Sequence, residues 1–273
     1  MAAHQITLIG CGKMGTAMLQ GWLADAELDA NFTIIEPETG HLDWVKAEPR
    51  VRHFVDCPAA IAAGVPASTI VVLAVKPQMM DDALAMMGPV ADAAGAFLSI
   101  AAGISTSWFA ARLGKDAVVM RAMPNTPAAI GKGISALYSG NAAPEMAMLA
   151  RQLLAAVGAV VPLDDEALMD AVTAVSGSGP AYVFLLTETL AAAGIKAGLP
   201  AHLARQLAAA TVSGAGALMA AGDTPPATLR ENVTSKGGTT AAALAVLMAD
   251  DGLAALIERA VTAARDRSVE LGG

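Results

Sequence analysis

Ile6-Thr7-Leu8-Ile9-Gly10-Cys11-Gly12-Lys13-Met14-Gly15 is the stretch on which the fold turns. A short apolar, β-branched run enters a Gly-x-Gly-x-x-Gly turn, and Met14 to Ala24 then has helix-forming composition. That context, strand before and helix after, is what makes the glycine spacing informative. Gly10 suits a tight turn, Gly12 lets backbone approach a pyrophosphate, and Gly15 lets helix and strand pack closely. The helix start adds free amides and the positive end of its dipole for an anion. Gly10, Gly12, Lys13, Met14 and Gly15 are therefore candidate cofactor contacts. Taken alone, the same motif also describes a ligand-free turn.

Working outward, further short β-branched runs occur at Phe32 to Ile35, Val51 to Val55, Ile70 to Val75, Phe97 to Ile100 and Val118 to Met120. They are too continuously apolar for strands with one wet face, so they read as strands buried on both sides. Segments of helical composition lie between them: Ala59 to Ala63, Asp81 to Met87 and Thr106 to Leu113. Alternation of this kind implies an α/β, doubly wound parallel sheet. Val160 to Leu163 is the last strand expected, and from Asp164 the chain reads helix after helix. The final helix carries Leu253, Leu256, Ile257, Ala260, Val261 and Ala264 as an apolar stripe. Two domains are thus expected, 1–163 and 164–273, the second all-helical.

Composition narrows the function. Hydrophobic residues make up 55% of the 273 residues and aromatics only 4%, so aliphatic side chains and Ala carry the core. A net charge of −8 leaves no basic excess for nucleic acid or an anionic membrane. Cys11 and Cys57 are the only cysteines, with no CxxC, which suggests neither a disulfide framework nor a zinc site. The uncharged stretches Ala93 to Ala111 and Ala171 to Thr187 are broken by Gly, Ser and Thr, against the run of about 20 apolar residues a span needs. No signal-peptide pattern precedes Ile6, so a cytoplasmic location is expected.

In a parallel sheet, ligands bind beyond the carboxyl ends of the strands. Glu36 closes the second apolar run, about 20 residues past the last glycine, where an acidic side chain accepts from ribose hydroxyls and repels a 2′-phosphate. Glu36-Pro37-Glu38 also reads as a plain acidic turn. Ala74-Val75-Lys76-Pro77-Gln78, Ala101-Ala102-Gly103 and Arg121-Ala122-Met123-Pro124-Asn125-Thr126-Pro127 fall on the same edge. They add Ala74, Val75, Lys76, Pro77, Ala102, Gly103 and Asn125 to the cofactor candidates. In the helical half, Ser176-Gly177-Ser178-Gly179-Pro180-Ala181-Tyr182 and Asn232-Val233-Thr234-Ser235-Lys236-Gly237-Gly238-Thr239-Thr240 place small residues before helix starts. Such positions gather free amides around a carboxylate, although Thr239 or Thr240 could equally serve as an N-cap.

The ordered set GxGxMG, AVKPQ, MPNTP, SGSGPAY and TSxGGTT, spread over nearly the whole chain, resembles the pyrroline-5-carboxylate reductase family. The resemblance implies a Rossmann domain followed by a helical dimerisation domain, and assembly as a homodimer or a decamer of dimers. It also implies NADPH- or NADH-dependent reduction of the cyclic imine 1-pyrroline-5-carboxylate to L-proline, the last step of proline biosynthesis. Glu36 leans the cofactor toward NADH. Carried over by position, Ser178, Asn232, Gly237, Gly238, Thr239 and Thr240 become substrate-binding candidates, with the Thr240 hydroxyl on the ring nitrogen as the catalytic contact. The family commonly has Pro where this chain has Lys236. A β-hydroxyacid dehydrogenase shares the domain plan, but its catalytic Lys and following Asn would fall on Val183 and Thr187. A non-catalytic nucleotide-sensing protein on the same fold is the other alternative. All four histidines, at 4, 41, 53 and 202, lie outside these motifs, and none is needed for the chemistry.

Overall fold

A computed structural model describes residues 3–272. The chain divides into two compact units, residues 1–177 with 264–273, and residues 178–263. The first holds β1 (His4–Ile9), α1 (Lys13–Ala24), β2 (Ala30–Ile35), β3 (Val51–Phe54), α2 (Cys57–Ala62) and β4 (Ile70–Leu73). It continues with α3 (Met80–Met87), α4 (Pro89–Asp92), β5 (Ala96–Ser99), α5 (Thr106–Leu113), β6 (Val119–Met123), β7 (Gly133–Tyr138), α6 (Pro144–Ala155), β8 (Gly158–Leu163) and α7 (Met169–Val172).

The strands form one sheet in the order β3-β2-β1-β4-β5-β6-β7-β8. The first six are mutually parallel, as their apolar runs predict. Side chains alternate between its faces. Ile6, Leu8, Ile70 and Val72 join Met18, Leu19 and Trp22 of α1 and Leu153 and Leu154 of α6 in one core. Ile9, Val71 and Leu73 join Met80, Met87 and Phe109 in the other. Trp22 stacks on Phe32 at 5.5 Å between centroids and donates its indole N–H to the Leu153 carbonyl at 2.7 Å. Gly21 lets α1 approach the end of α6, since a β-carbon there would lie 2.7 Å from the Ala156 oxygen.

The doubly wound parallel sheet expected from sequence carries one antiparallel pairing, at its far edge. β7 runs antiparallel to β6, and β8 is parallel to β7. The connection from Met123 to Gly133 is a 3-10 turn, Thr126–Ile130, closed by left-handed Gly131. It is shorter than the dozen or more residues a parallel crossover needs, so the chain doubles back. Neither β7 nor α6 figures among the elements expected from sequence.

After α7 the helix widens into a π-turn, Thr173–Gly177, also not expected. The second unit holds α8 (Gly179–Lys196), α9 (Ala201–Ala220), α10 (Pro226–Asn232), α11 (Thr239–Leu247) and the start of α12 (Leu253–Leu271). α8 and α9 pack through small residues: a β-carbon on Gly194 would meet Ala204 Cβ at 3.4 Å. Much of this unit's apolar surface is uncovered within the chain, Phe184, Leu185 and Leu186 of α8 among it. Among the described residues, no helix is long and apolar enough to cross a membrane.

Candidate functional site

β1 has β2 on one side and β4 on the other, so the strand order reverses there and opens a crevice beyond the carboxyl ends. The backbone knits that edge together. Gly10 N–H donates to Ile35 O at 2.9 Å, Ala74 N–H to Ile9 O at 2.8 Å, and Ile100 N–H to Leu73 O at 3.1 Å.

The glycine turn has the geometry its spacing implies. Gly10 is left-handed, with φ +87°, and a β-carbon there would press on Val75 Cγ1 at 2.9 Å and Ala74 O at 3.0 Å. A β-carbon on Gly15 would lie 2.5 Å from Gly10 O, so helix and strand could not approach. Gly12 differs: it N-caps α1 and faces open space, with nothing within 4 Å. Among the described residues, the amides of Gly12, Lys13, Met14 and Gly15 have no protein acceptor. Open volume in front of unpaired amides at a helix start fits a dinucleotide pyrophosphate.

Glu36 directly follows β2 and is buried. One carboxylate oxygen accepts the Cys11 amide at 2.7 Å, and the other accepts the Glu38 amide at 2.9 Å. Glu36 is therefore both the acidic turn and the partner of the glycine loop. Burial, first, and the nearby Glu36 charge push the Cys11 thiol up to about 11, despite the contact with Thr16. It stays protonated at neutral pH.

Val75 and Ala74 line the Gly10 side of the crevice, and Lys76 is exposed at the start of a 3-10 turn that begins with Pro77. Ala102 and Gly103 follow β5. Gly103 has φ +79°, and a β-carbon there would meet Ser268 O at 2.7 Å and Gly272 N at 3.0 Å, so its bareness admits the end of α12. Asn125 uses its side chain as a brace: Oδ1 accepts from Ile134 N–H at 3.0 Å, and Nδ2 donates to Ser176 Oγ at 3.4 Å.

Beside this loop, Arg121 of β6 donates to Glu166 at 2.7 Å, and the same carboxylate accepts the Thr106 amide at 2.7 Å and the Thr106 hydroxyl. Burial raises the Glu166 pKa, but the Thr106 and Arg121 contacts outweigh it and hold the carboxyl below its ordinary value. The second guanidinium nitrogen of Arg121, Nη2, is buried without a partner among the described residues.

Ser178, Asn232, Gly237, Gly238, Thr239 and Thr240 belong to the second unit. Ser178 precedes α8 and Asn232 ends α10. Ser235 to Gly238 forms a turn, with Gly238 N–H donating to Ser235 O at 3.0 Å and Gly237 left-handed at φ +74°. A glycine at that third position is what a type II turn requires, and the second position, which favours Pro, is Lys236. Gly238, not Thr239 or Thr240, is the N-cap of α11, and no side chain caps it. The hydroxyls of Thr239 and Thr240 are thereby left out of the cap.

One contact to the glycine turn escaped the sequence reading. His41 follows Glu36 by one turn of chain and sets its Nε2 2.7 Å from the Cys11 carbonyl.

A family model described as pyrroline-5-carboxylate reductase dimerisation matches residues 166–271, and one described as NADP oxidoreductase, coenzyme F420-dependent, matches residues 5–103. Over 99% of its length the chain is 40% identical to a pyrroline-5-carboxylate reductase of Pseudomonas aeruginosa, covering 98% of that relative. The chain belongs to the pyrroline-5-carboxylate reductase family. A solved pyrroline-5-carboxylate reductase from Coxiella burnetii superposes with a TM-score of 0.87 at 32% identity, covering all of both chains. The Plasmodium falciparum pyrroline carboxylate reductase, solved with NADP bound, gives a TM-score of 0.81 at 27% identity, again over all of both chains. Membership in this pyrroline-5-carboxylate reductase family brings an oxidoreductase, a nicotinamide cofactor and a homo-oligomer.

Proposed function

We propose that the chain reduces 1-pyrroline-5-carboxylate to L-proline in the cytoplasm, with residues 1–163 as the dinucleotide domain and 164–273 as the dimerisation and substrate domain. The observation that carries this reading is the open Gly12 cradle in a chain of this family: unpaired amides at the start of α1, in space that a β-carbon would enter freely. Gly10, Gly12, Lys13, Met14 and Gly15 would hold the pyrophosphate and Glu36 the ribose. Ala74, Val75, Lys76, Pro77, Ala102, Gly103 and Asn125 would frame the remainder. When bound, the reduced nicotinamide supplies a hydride for the imine carbon. A protonated cyclic imine is already electrophilic, so the protein's work is positioning and electrostatics rather than strong acid catalysis.

For substrate, the turn Ser235–Gly238 leads into the first amides of α11; Gly238 N–H is taken by Ser235 O, so the amides of Thr239 and Thr240 would grip the carboxylate, with Gly237 and Gly238 shaping the turn and Ser178 and Asn232 as further substrate contacts. The Thr240 hydroxyl, free of any capping duty, would meet the ring nitrogen. Val183 and Thr187 on α8 offer no acid–base agent for a hydroxyacid, which favours the imine. The buried Glu36 charge at the end of β2 favours NADH over NADPH, although the P. falciparum relative holds NADP. Assembly would be a homodimer, or a decamer of dimers, through the helical unit. The test is to follow nicotinamide absorbance with each cofactor and with the imine or a 3-hydroxyacid. Oxidation of the reduced cofactor only when the imine is present is expected, faster with NADH. Turnover of hydroxyacids alone would overturn the reading.

A further inference from the structure

The segment after β2 carries a residue that the dinucleotide fingerprint does not contain. Leu42 and Val45 are buried in the first core cluster, and they draw this segment back against the glycine turn. His41, next to Leu42, is thereby brought to the Cys11 carbonyl. The acceptor there is a carbonyl, so Nε2 carries the hydrogen and donates. Thr16 Oγ1 donates to the same oxygen at 2.9 Å. On the other side, Cys11 N–H donates to Glu36 at 2.7 Å. The backbone at Cys11 is therefore held at both its amide and its carbonyl.

What this clamp controls follows from peptide geometry. In a planar trans peptide, the carbonyl of one residue and the N–H of the next point in opposite directions. Two donors on the Cys11 oxygen therefore set the direction of the Gly12 N–H. Gly12 is exposed, its amide has no acceptor among the described residues, and the space around its α-carbon is open. Were this peptide to flip, the Cys11 carbonyl would turn its negative end toward that space and repel an anion. Glycine on one side of the plane lowers the barrier to such a flip, so donors on the oxygen are needed to hold it.

We propose that His41 is a positioning residue for the cofactor: through the Cys11 carbonyl it keeps the Gly12 amide turned toward the pyrophosphate. This rests on the nicotinamide reading above. Thr16 shares the role from α1, and His41 supplies it from the loop after β2, the same segment that carries Glu36.

The experiment uses the full chain with His41→Phe, His41→Gln, Thr16→Val and the double variant His41→Phe/Thr16→Val. Cofactor affinity is read directly by fluorescence titration with NADH and NADPH, and kcat and both KM values by steady-state assay. One neutral hydrogen bond corresponds to about a fivefold change in affinity. His41→Phe should raise the Kd and KM for cofactor by roughly that factor, with kcat at saturating cofactor and the KM for the imine within about twofold of wild type. His41→Gln, which restores an N–H donor, should recover affinity. The double variant should lose more than the product of the single losses, because in each single variant the remaining donor still holds the carbonyl in part. A merely structural His41 would lower Tm and leave the Kd untouched, and that result overturns the proposal. Failure of the wild-type chain to bind either cofactor would instead overturn the nicotinamide reading itself, and the proposal with it.

Discussion

The carboxylate of Glu36 and the amide of Cys11 meet at 2.7 Å, joining the end of β2 to the glycine turn that follows β1. The charge proposed to select the ribose thus also supports the glycine turn. The two roles separate by substitution. Glu36→Gln keeps an oxygen for Cys11 and loses the charge, so it should narrow the NADH-to-NADPH ratio in kcat/KM while the KM for NADH stays within about threefold. Glu36→Ser removes the acceptor as well. A hydrogen bond to a charged group is worth about 1.5 to 3 kcal/mol, so Glu36→Ser should weaken both cofactors by roughly tenfold or more. An unchanged ratio in Glu36→Gln would mean that the carboxylate serves the turn alone.

The inner parallel strands were legible because strands covered on both faces are mostly apolar, and a run such as Ile70 to Leu73 leaves little alternative; β3 at the sheet edge, Val51–Phe54, carries Arg52 and His53 and, against expectation, is not covered on both faces. β7 was hidden for a physical reason. Gly133-Ile134-Ser135-Ala136-Leu137-Tyr138 mixes small and polar residues because it pairs between β6 and β8 in the antiparallel part of the sheet, without the long branched run of its neighbours. The glycine turn could be read because its backbone requirements act on residue type directly. Gly103 shows the limit of that logic: the bare α-carbon was legible, but its partner at the end of α12 is distant in sequence. His41 was illegible for the same reason. Its acceptor is a backbone carbonyl, which every residue possesses and no residue type advertises.

Glu166 should set an acid limit on stability. Its folded pKa is depressed, so the stability it confers is present above its ordinary value of 4.5 and lost as pH falls through the lowered folded value. Glu166→Gln leaves the buried Arg121 guanidinium without its counter-ion. Breaking a fully buried pair costs about 3 to 5 kcal/mol, and roughly 2 kcal/mol is expected here because the carboxylate reaches solvent. The gap between wild type and variant, measured by denaturant unfolding, should be widest near neutrality and close below pH 4.5. A gap that is constant with pH would remove the ion pair from the account.

Phe184, 66% exposed within one chain, lies on α8 among Leu185 and Leu186. An apolar helix left this open, within the residues that the dimerisation family model matches, is expected to be covered in the homo-oligomer. Phe184→Glu would place a charge in that contact, so light scattering at micromolar concentration should show a shift toward monomer, with the sheet-rich unit still folded by circular dichroism. An unaltered oligomer would place the interface on other helices of the second unit.

Thr240 decides whether the substrate assignment holds. It is half-buried near the start of α11, and the N-cap there is Gly238 with no side chain bonded to it. Loss of a capping hydroxyl typically costs about 1 kcal/mol, but this hydroxyl makes no cap bond, so Thr240→Ala should leave Tm nearly unchanged. A hydroxyl on the ring nitrogen of a charged imine would instead contribute about 1.5 to 3 kcal/mol, which is tenfold or more in kcat/KM. Thr240→Ser, which keeps the oxygen, should retain most of the activity. Cofactor affinity should be the same in all three proteins, because the glycine turn proposed to bind it belongs to the other unit of the chain. Full kcat/KM in a folded Thr240→Ala protein would overturn the assignment and move the catalytic contact to another hydroxyl, with Ser178 and Ser235 the first to substitute.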